Sequence, residues 1–325
     1  MNLSLTDLHC DTATELFRTG QYLTENDLAV SLKSASRFSP YTQVTAFFTS
    51  PSYSDEDGWD RFLATRKRLL CDPAIVGGTA KILTAFGRTS PPVSLLFSIE
   101  DARIFAGRIE RVEEAYALGI RILTPLWSGM TCIGGSHDTT VGLTDFGRSV
   151  IRKALSLGMI PDISHASVRS ADEIFEMAKE ANRPVIASHS DASAICPVSR
   201  NLDDGQIRKI LQSGGVIGLN LYVRFLSQKS RVTTEDVIPH VEHFLSLGAS
   251  DALCLGCDMD GAELPADLHT VGDLQILADR LLARNYPETL VQKIFYRNAN
   301  SFLRRCLPPE TGSESITFPE EEIYP

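Results

Sequence analysis

No stretch of this 325-residue chain comes near the roughly 20 apolar residues that a membrane-spanning helix needs. The first residues lack the basic patch, apolar core and small-residue cleavage site of a secretory leader. No apolar stretch at the C-terminal end offers a signal for lipid attachment. Positive charge is also short: 31 Lys and Arg stand against 41 Asp and Glu, a formal net charge of −10. That balance excludes nucleic acid or an anionic membrane as the main partner. The seven cysteines are odd in number and suit reduced thiols better than a disulfide frame, which with the missing leader leads us to expect a cytoplasmic protein. Cys254 and Cys257 sit in an apolar run and read as small core residues.

What is present is an ordinary globular composition, 43% hydrophobic and 22% charged. Short β-rich runs alternate with amphipathic stretches. The expected strands are Leu3–His9, Gln43–Phe48, Val93–Ile99, Ile120–Thr124, Met159–Ile163, Pro184–Ser188, Val216–Asn220 and Ala252–Cys257. Between them, helical patterns run over Asp60–Leu70, Glu110–Leu118, Leu143–Leu157, Val168–Ala181, Asp203–Gln212 and Thr234–Leu247. Thr144 or Asp145 marks a helix start, and Gly119, Gly158 and Gly248 mark ends. The strands are mostly continuous apolar runs, as expected where helices cover a parallel sheet. Eight such units predict an α/β fold, a (β/α)8 TIM-type barrel. A doubly wound open sheet competes, but no Gly-x-Gly-x-x-Gly loop follows the first strand. Helical patterns at Asp267–Arg284, Glu288–Tyr296 and Asn298–Cys306 close the barrel. One domain therefore spans 1–306, and 307–325 is an acidic, Pro-containing tail.

In such barrels, chemistry stands at the C-terminal ends of strands. Strand one ends in His9 and Asp11, which share a face because extended residues two apart point the same way. Strand three ends in Glu100, strand five runs into His165, strand six into His189, and strand eight ends in Asp258 and Asp260. Each has a bland alternative. Glu100 can complement a helix dipole, either His can be a hydrogen-bonded core residue, and Asp260 before Gly261 reads as a turn residue. Independent structural roles would not bring three His and three carboxylates to one rim. The set suits two divalent ions, with zinc favoured by mixed N/O ligation. A natural partition puts His9 and Asp11 on one ion, His165 and His189 on the other, and Glu100 between them. Such a pair acidifies water and polarises a carbonyl, so no protein nucleophile is needed. Asp258 is left free to move a proton from the attacking water to a leaving amine.

The motifs around these residues are Asp-Leu-His-Cys-Asp-Thr at 7–12, Ser-Ile-Glu at 98–100 and Gly-Leu-Thr-Asp-Phe-Gly-Arg at 142–148. They continue with Gly-Met-Ile-Pro-Asp-Ile-Ser-His-Ala-Ser at 158–167, Pro-Val-Ile-Ala-Ser-His-Ser at 184–190, Ser-Arg-Asn-Leu at 199–202 and Gly-Cys-Asp-Met-Asp-Gly at 256–261. Together they resemble the membrane dipeptidase family (renal dipeptidase-like, peptidase family M19) of the amidohydrolase-type barrel superfamily. The resemblance implies metal ligands at His9, Asp11, Glu100, His165 and His189, and an acid/base carboxylate at Asp258. It also implies that Arg200 holds the substrate's terminal carboxylate, which bidentate guanidinium pairing would suit, and that Tyr222 contacts substrate. One departure stands out. After strand four the family usually reads Leu-Thr-His-Asn, whereas here Ile122–Ser128 places Trp127 at the histidine's position. Trp can stack or donate one N–H but cannot take a proton; His137, in the Gly-Gly-Ser-His-Asp loop, reads first as a solvated loop residue and second as a spatial substitute for that histidine.

The expectation is a binuclear zinc dipeptidase, tolerant of a D residue at the C-terminal side and, by family likeness, a homodimer. Two readings compete: hydrolysis of another small amide or lactam, prompted by Trp127, and a metal-bearing binding protein without turnover.

Overall fold

Strands form where the apolar runs lie, and in the computed structural model, which describes residues 3–86 and 92–309, they lie parallel. They are β1 (Leu5–Cys10), β2 (Tyr41–Phe48), β3 (Lys81–Ile82), β4 (Val93–Glu100), β5 (Ile120–Thr124), β6 (Ile160–Pro161), β7 (Ile217–Leu219) and β8 (Leu253–Leu255). Their order is β6-β5-β4-β2-β1-β8-β7, with β3 beside β4. The ladders make an α/β fold whose curled parallel sheet has half-barrel form. Helices cover its outer face: Asp55–Leu70, Glu110–Ala117, Asp145–Leu157, Val168–Glu180, Asp204–Ser213 and Ile238–Ser246. Thr144 caps one of them, its Oγ1 accepting from Gly147 N at 2.9 Å. Gly158 ends the same helix at φ +86°.

Eight strands were expected and eight are present among the described residues, but they are not the same eight. β3 carries no apolar pattern long enough to announce it. The run 184–188 forms only single bridges, Asp162 to Ile186 and Ala187 to Ile217. The reason is local. Asp162 Oδ1 accepts the backbone N–H groups of both Ser164 and Ser188, each at 2.9 Å, so the N–H that would extend the ladder goes to a side chain. β6 is cut to two residues by the same contact. The sequence pattern also missed the helix Thr12–Thr19, which leaves β1 directly after Asp11.

Inside the curl, one core cluster takes a residue from each expected strand: Leu8, Val44, Leu96, Ile122, Ile160, Ile186, Val216 and Cys254. The C-terminal helix Asn298–Cys306 seals its base with Ala299, Phe302 and Leu303. Burying a side chain such as Phe302 is worth about 1.5–3 kcal/mol, so that helix packs as part of the core inside the curled sheet. Packing continues past the expected boundary at 306: Leu307 is buried, and Pro308 O accepts from Phe86 N at 2.9 Å. The rest of the acidic tail, 310–325, lies outside the described residues. Among the described residues, no helix is long and apolar enough to cross a membrane.

The segment 184–188 lies so close to β7 that only glycine fits opposite it. A Cβ on Gly218 would stand 1.9 Å from Ser188 O and 3.0 Å from Gly256 Cα, both backbone atoms that cannot yield. Gly218→Ala is expected to cost about 3 kcal/mol of folding stability, read as a lower midpoint in chemical denaturation at unchanged m-value.

Candidate metal centre

A β-bulge delivers the first pair of side chains. Asp7 is fully buried, and its Oδ1 accepts from Cys257 N at 2.8 Å and from His9 N at 3.4 Å. With its N–H drawn aside, the β1–β2 register slips between Asp7 and Cys10. Simple alternation would put Leu8 and His9 on opposite faces. The slip lets Leu8 join the interior core while His9 and Asp11 stand above it. On β4, regular alternation carries Leu96 into the same core and Glu100 into the site. His165 and Asp258, just past β6 and β8, have left-handed backbones at φ +68° and +59°. For non-glycine residues such conformations cost about 1 kcal/mol or more and cluster at functional sites.

Glu100 is the hub. Its Oε2 lies 3.5 Å from His9 Nε2, and its Oε1 lies 3.0 Å from His165 Nε2 and 3.4 Å from His189 Nε2. Around His9 Nε2 stand Asp11 Oδ2 at 3.6 Å and Asp258 Oδ1 at 3.8 Å. The His165 and His189 Nε2 atoms are 3.0 Å apart, and the His9 and His189 rings stack with centroids 3.7 Å apart. Thus five ligand candidates and the acid/base candidate, spread over 250 positions of sequence, meet at one rim.

The donor set fits divalent cations. His9 Nε2 and Asp11 Oδ1 are buried and have no hydrogen-bond partner, which is costly for polar atoms unless something binds them. In His165 and His189, Nδ1 already has a partner (Trp127 O at 3.0 Å, Ser188 Oγ at 2.7 Å), so Nε2 is the atom turned to the shared carboxylate. Three groupings, His9–Asp11–Glu100, Glu100–His165–His189 and His9–His189–Asp258, each bring their ligand atoms within 4.8 Å of one another. Without a cation the charges settle on protons. Burial works to lower the His9 pKa, but Glu100 and Asp11 outweigh it and hold it well above the ordinary value. Burial and Glu100 push Asp11 up to about 7. Burial also opposes the charge on Glu100, yet His9, His165 and His189 bring its pKa well below the usual range. Burial, then His9 and Arg200, pull His189 far down. A divalent cation would take the place of the His9 proton, since metals compete with protons for the same lone pairs.

Comparison with known proteins settles the family. A family model for membrane dipeptidases, peptidase family M19, matches residues 2–306. The chain belongs to peptidase family M19. It is accordingly a metal-dependent hydrolase of the dipeptidase class. It is 32% identical over 223 residues to a Klebsiella pneumoniae protein described as an uncharacterized protein in the pqqA 5′ region, covering 65% of this chain and 81% of that one. It is 27% identical over 227 residues to Dipeptidase 3 of Macaca fascicularis, spanning 67% of this chain but 46% of that relative. Among solved structures it superposes on the M19 metallopeptidase called dipeptidase AC with a TM-score of 0.85 at 24% identity, covering 94% of this chain and 99% of that one. A metallopeptidase from Rhodobacter sphaeroides, bound to a phosphinate mimic of L-Ala-D-Ala, gives the same TM-score and identity over 94% and 100%. At that identity the superpositions establish the fold.

The other candidates of this M19 chain are more varied. Asp258 Oδ2 accepts from Asn220 Nδ2 at 2.9 Å. Asn220, at the end of β7, escaped the sequence reading because a lone Asn carries no motif. A cavity of about 720 Å³ opens over the cluster, with Trp127, His137 and Tyr222 in its wall. The Trp127 ring lies against Phe48, centroids 5.0 Å apart, while its carbonyl orients His165. His137 stands 6.0 Å from the His165 ring, with Nδ1 3.0 Å from Ser199 Oγ, so the loop histidine does reach the mouth. Burial, Arg200 and His165 bring its pKa down to about 4, leaving it neutral near pH 7. Tyr222 packs edge-on to Phe225 at 4.7 Å. Arg200 is 3% exposed: Nη1 donates to Ser190 Oγ and Nη2 to His189 O, both at 2.8 Å, and the buried Nε has no partner. A separate cleft of about 600 Å³, lined by Phe175, Arg183, Gly214 and Arg305, lies at the other mouth.

Asp260 is a turn residue, as its place before Gly261 suggested, and also a clamp. Its Oδ1 accepts from Ala29 N and its Oδ2 from Thr12 Oγ1, each at 2.6 Å. Asp260→Ala is expected to cost about 1–3 kcal/mol for the buried donors it strands. Limited proteolysis should then cut faster around residues 24–31, with metal content unchanged; lost metal at wild-type protease resistance would place Asp260 among the ligands instead.

Proposed function

We propose that this chain hydrolyses dipeptides with the help of two zinc ions and accepts a D residue on the C-terminal side of the scissile bond. The observation that carries the reading is Glu100, one oxygen of which faces His9 Nε2 while the other faces the Nε2 atoms of His165 and His189. His9, Asp11 and Glu100 would hold one ion; Glu100, His165 and His189 would hold the other. When bound, the ions polarise the scissile carbonyl and acidify the attacking water.

The chain's own groups do the rest. Asp258 is anchored through Oδ2 by Asn220, so Oδ1 is kept at the rim, 3.8 Å from His9 Nε2. From there it takes a proton from water and returns it to the departing amine. The buried guanidinium of Arg200 attracts the dipeptide's terminal carboxylate, with an unpartnered N–H still to give. His137 serves as a neutral hydrogen-bonding group at the mouth, and Trp127 with Phe48 forms an aromatic wall that keeps water from the substrate's other side. Tolerance of a D residue is supported by the Rhodobacter sphaeroides relative, whose bound ligand mimics L-Ala-D-Ala. The same reading takes the curled sheet as a closed (β/α)8 barrel, joined through 184–188 by its bridges to Asp162 and Ile217. It extends to a cytoplasmic homodimer, on the thiol composition and the family likeness.

Purified protein should contain about two zinc ions per chain, lose activity on chelation, regain it with zinc, and cleave both L,L and L,D dipeptides. Asp258→Asn should lower kcat by roughly 10²–10⁴ while metal content stays the same. A fully metallated protein inert on dipeptides but active on cyclic amides would favour the lactam reading that Trp127 suggests. One inert on both would leave only a metal-binding role.

A further inference from the structure

We propose that Asp162, acting through the Ser188 hydroxyl, sets the tautomer of His189 and thereby keeps its Nε2 open to a cation. The inference rests on the reading of His189 as a metal ligand. Asp162 is a positioning residue here, since it touches neither metal nor substrate.

The argument is one of hydrogen-bond polarity. Asp162 is fully buried and receives four donors. Oδ1 accepts from Ser164 N and Ser188 N, each at 2.9 Å; Oδ2 accepts from Thr124 Oγ1 at 2.6 Å and from Ser188 Oγ in a shorter contact. Four donors converge on the two oxygens of this carboxylate, so the one hydroxyl hydrogen of Ser188 points at Asp162. Ser188 Oγ then offers His189 Nδ1, 2.7 Å away, a lone pair and nothing else. The contact is favourable only if Nδ1 carries the proton. His189 Nε2 is left bare, facing Glu100 Oε1 and His165 Nε2. His165 reaches the same state by another route, because its Nδ1 faces the Trp127 carbonyl, which can only accept. Both imidazoles on that side are therefore preset by partners that permit one polarity. An outer partner that fixes the ring and tautomer of a ligating histidine is typically worth 10–100-fold in metal affinity.

An amide at position 162 tests this sharply. In Asp162→Asn, the side-chain oxygen is held by the two backbone N–H groups, so the NH2 group faces Thr124 Oγ1 and Ser188 Oγ. The Ser188 hydrogen then has His189 Nδ1 at 2.7 Å and Ser164 Oγ at 3.5 Å to turn to, and the nearer Nδ1 takes it, which moves the imidazole proton to Nε2. Thr124→Val removes a hydrogen bond from the same carboxylate oxygen but leaves the relay intact, and serves as the structural control.

The measurement uses full-length chain with ring-¹⁵N-labelled histidine, His189 being assigned by its loss in His189→Gln. In metal-free wild type, the proton of His189 is expected on Nδ1; in Asp162→Asn it is expected on Nε2. Titration with zinc should show one of two ions weakened about 10–100-fold in Asp162→Asn and Ser188→Ala, with the other ion unchanged and Thr124→Val like wild type. Nε2 protonation in metal-free wild type would overturn the proposal, as would wild-type affinity for both ions in Asp162→Asn and Ser188→Ala. Equal weakening in Thr124→Val would also overturn it, by reducing Asp162 to a structural role. If Asp162→Asn does not fold, the wild-type tautomer and Ser188→Ala decide. If wild type takes up no zinc, the metal reading fails and the tautomer alone still judges the relay.

Discussion

The site depends on one carboxylate serving two sides. Glu100 meets His9 with one oxygen and His165 and His189 with the other. Its position follows from β4, the longest regular ladder beside β2, where Leu96, Ser98 and Glu100 alternate inward from the core to the rim. A buried carboxylate is unfavourable alone. Here the charge on the His9 imidazole leads the effects that outweigh the desolvation and favour its charged form. The remaining polar atoms would be satisfied by a cation, which is the physical sense in which the cluster suits a metal better than a purely structural hydrogen-bond network would.

The outer ring around it repeats one local device. Asp7 within β1, and Asp162 and Asn220 just past β6 and β7, each accept the backbone N–H two residues on, at His9, Ser164 and Tyr222. Each bond takes a donor out of the ladder and turns the chain toward the axis. Each of the three also reaches across to a neighbouring strand segment, to Cys257 N, Ser188 N and Asp258 Oδ2. The strand ends are tied to one another by side chains where the ladders stop. Gly261 belongs to the same closure, since a Cβ there would lie 2.0 Å from Asp11 Oδ2 and 2.9 Å from Asp258 Oδ1.

Much of this was legible from residue order. The alternation of apolar runs with capped helices pointed to a parallel α/β sheet, and Thr144 and Gly158 cap as their types suggest. The His, Asp and Glu at strand ends were readable because that is where such folds carry chemistry. Less was legible where side chains compete with the backbone. The run 184–188 has a strand's composition, yet Asp162 takes its N–H. β1 looks evenly alternating, yet Asp7 breaks its register and turns Leu8 and His9 to one side.

Sequence alone determined which chemistry is present, because metal-ligating side chains are costly to bury without purpose and their order along the chain follows the strand ends. Tertiary structure decided the rest: that Asn220 holds Asp258, that Trp127 contributes its carbonyl to His165, and that Arg200 spends two of its N–H groups inside the protein. These are contacts between residues tens of positions apart or between side chain and backbone. They depend on distances of a few ångströms that no local pattern encodes, and they exist only once the sheet has curled.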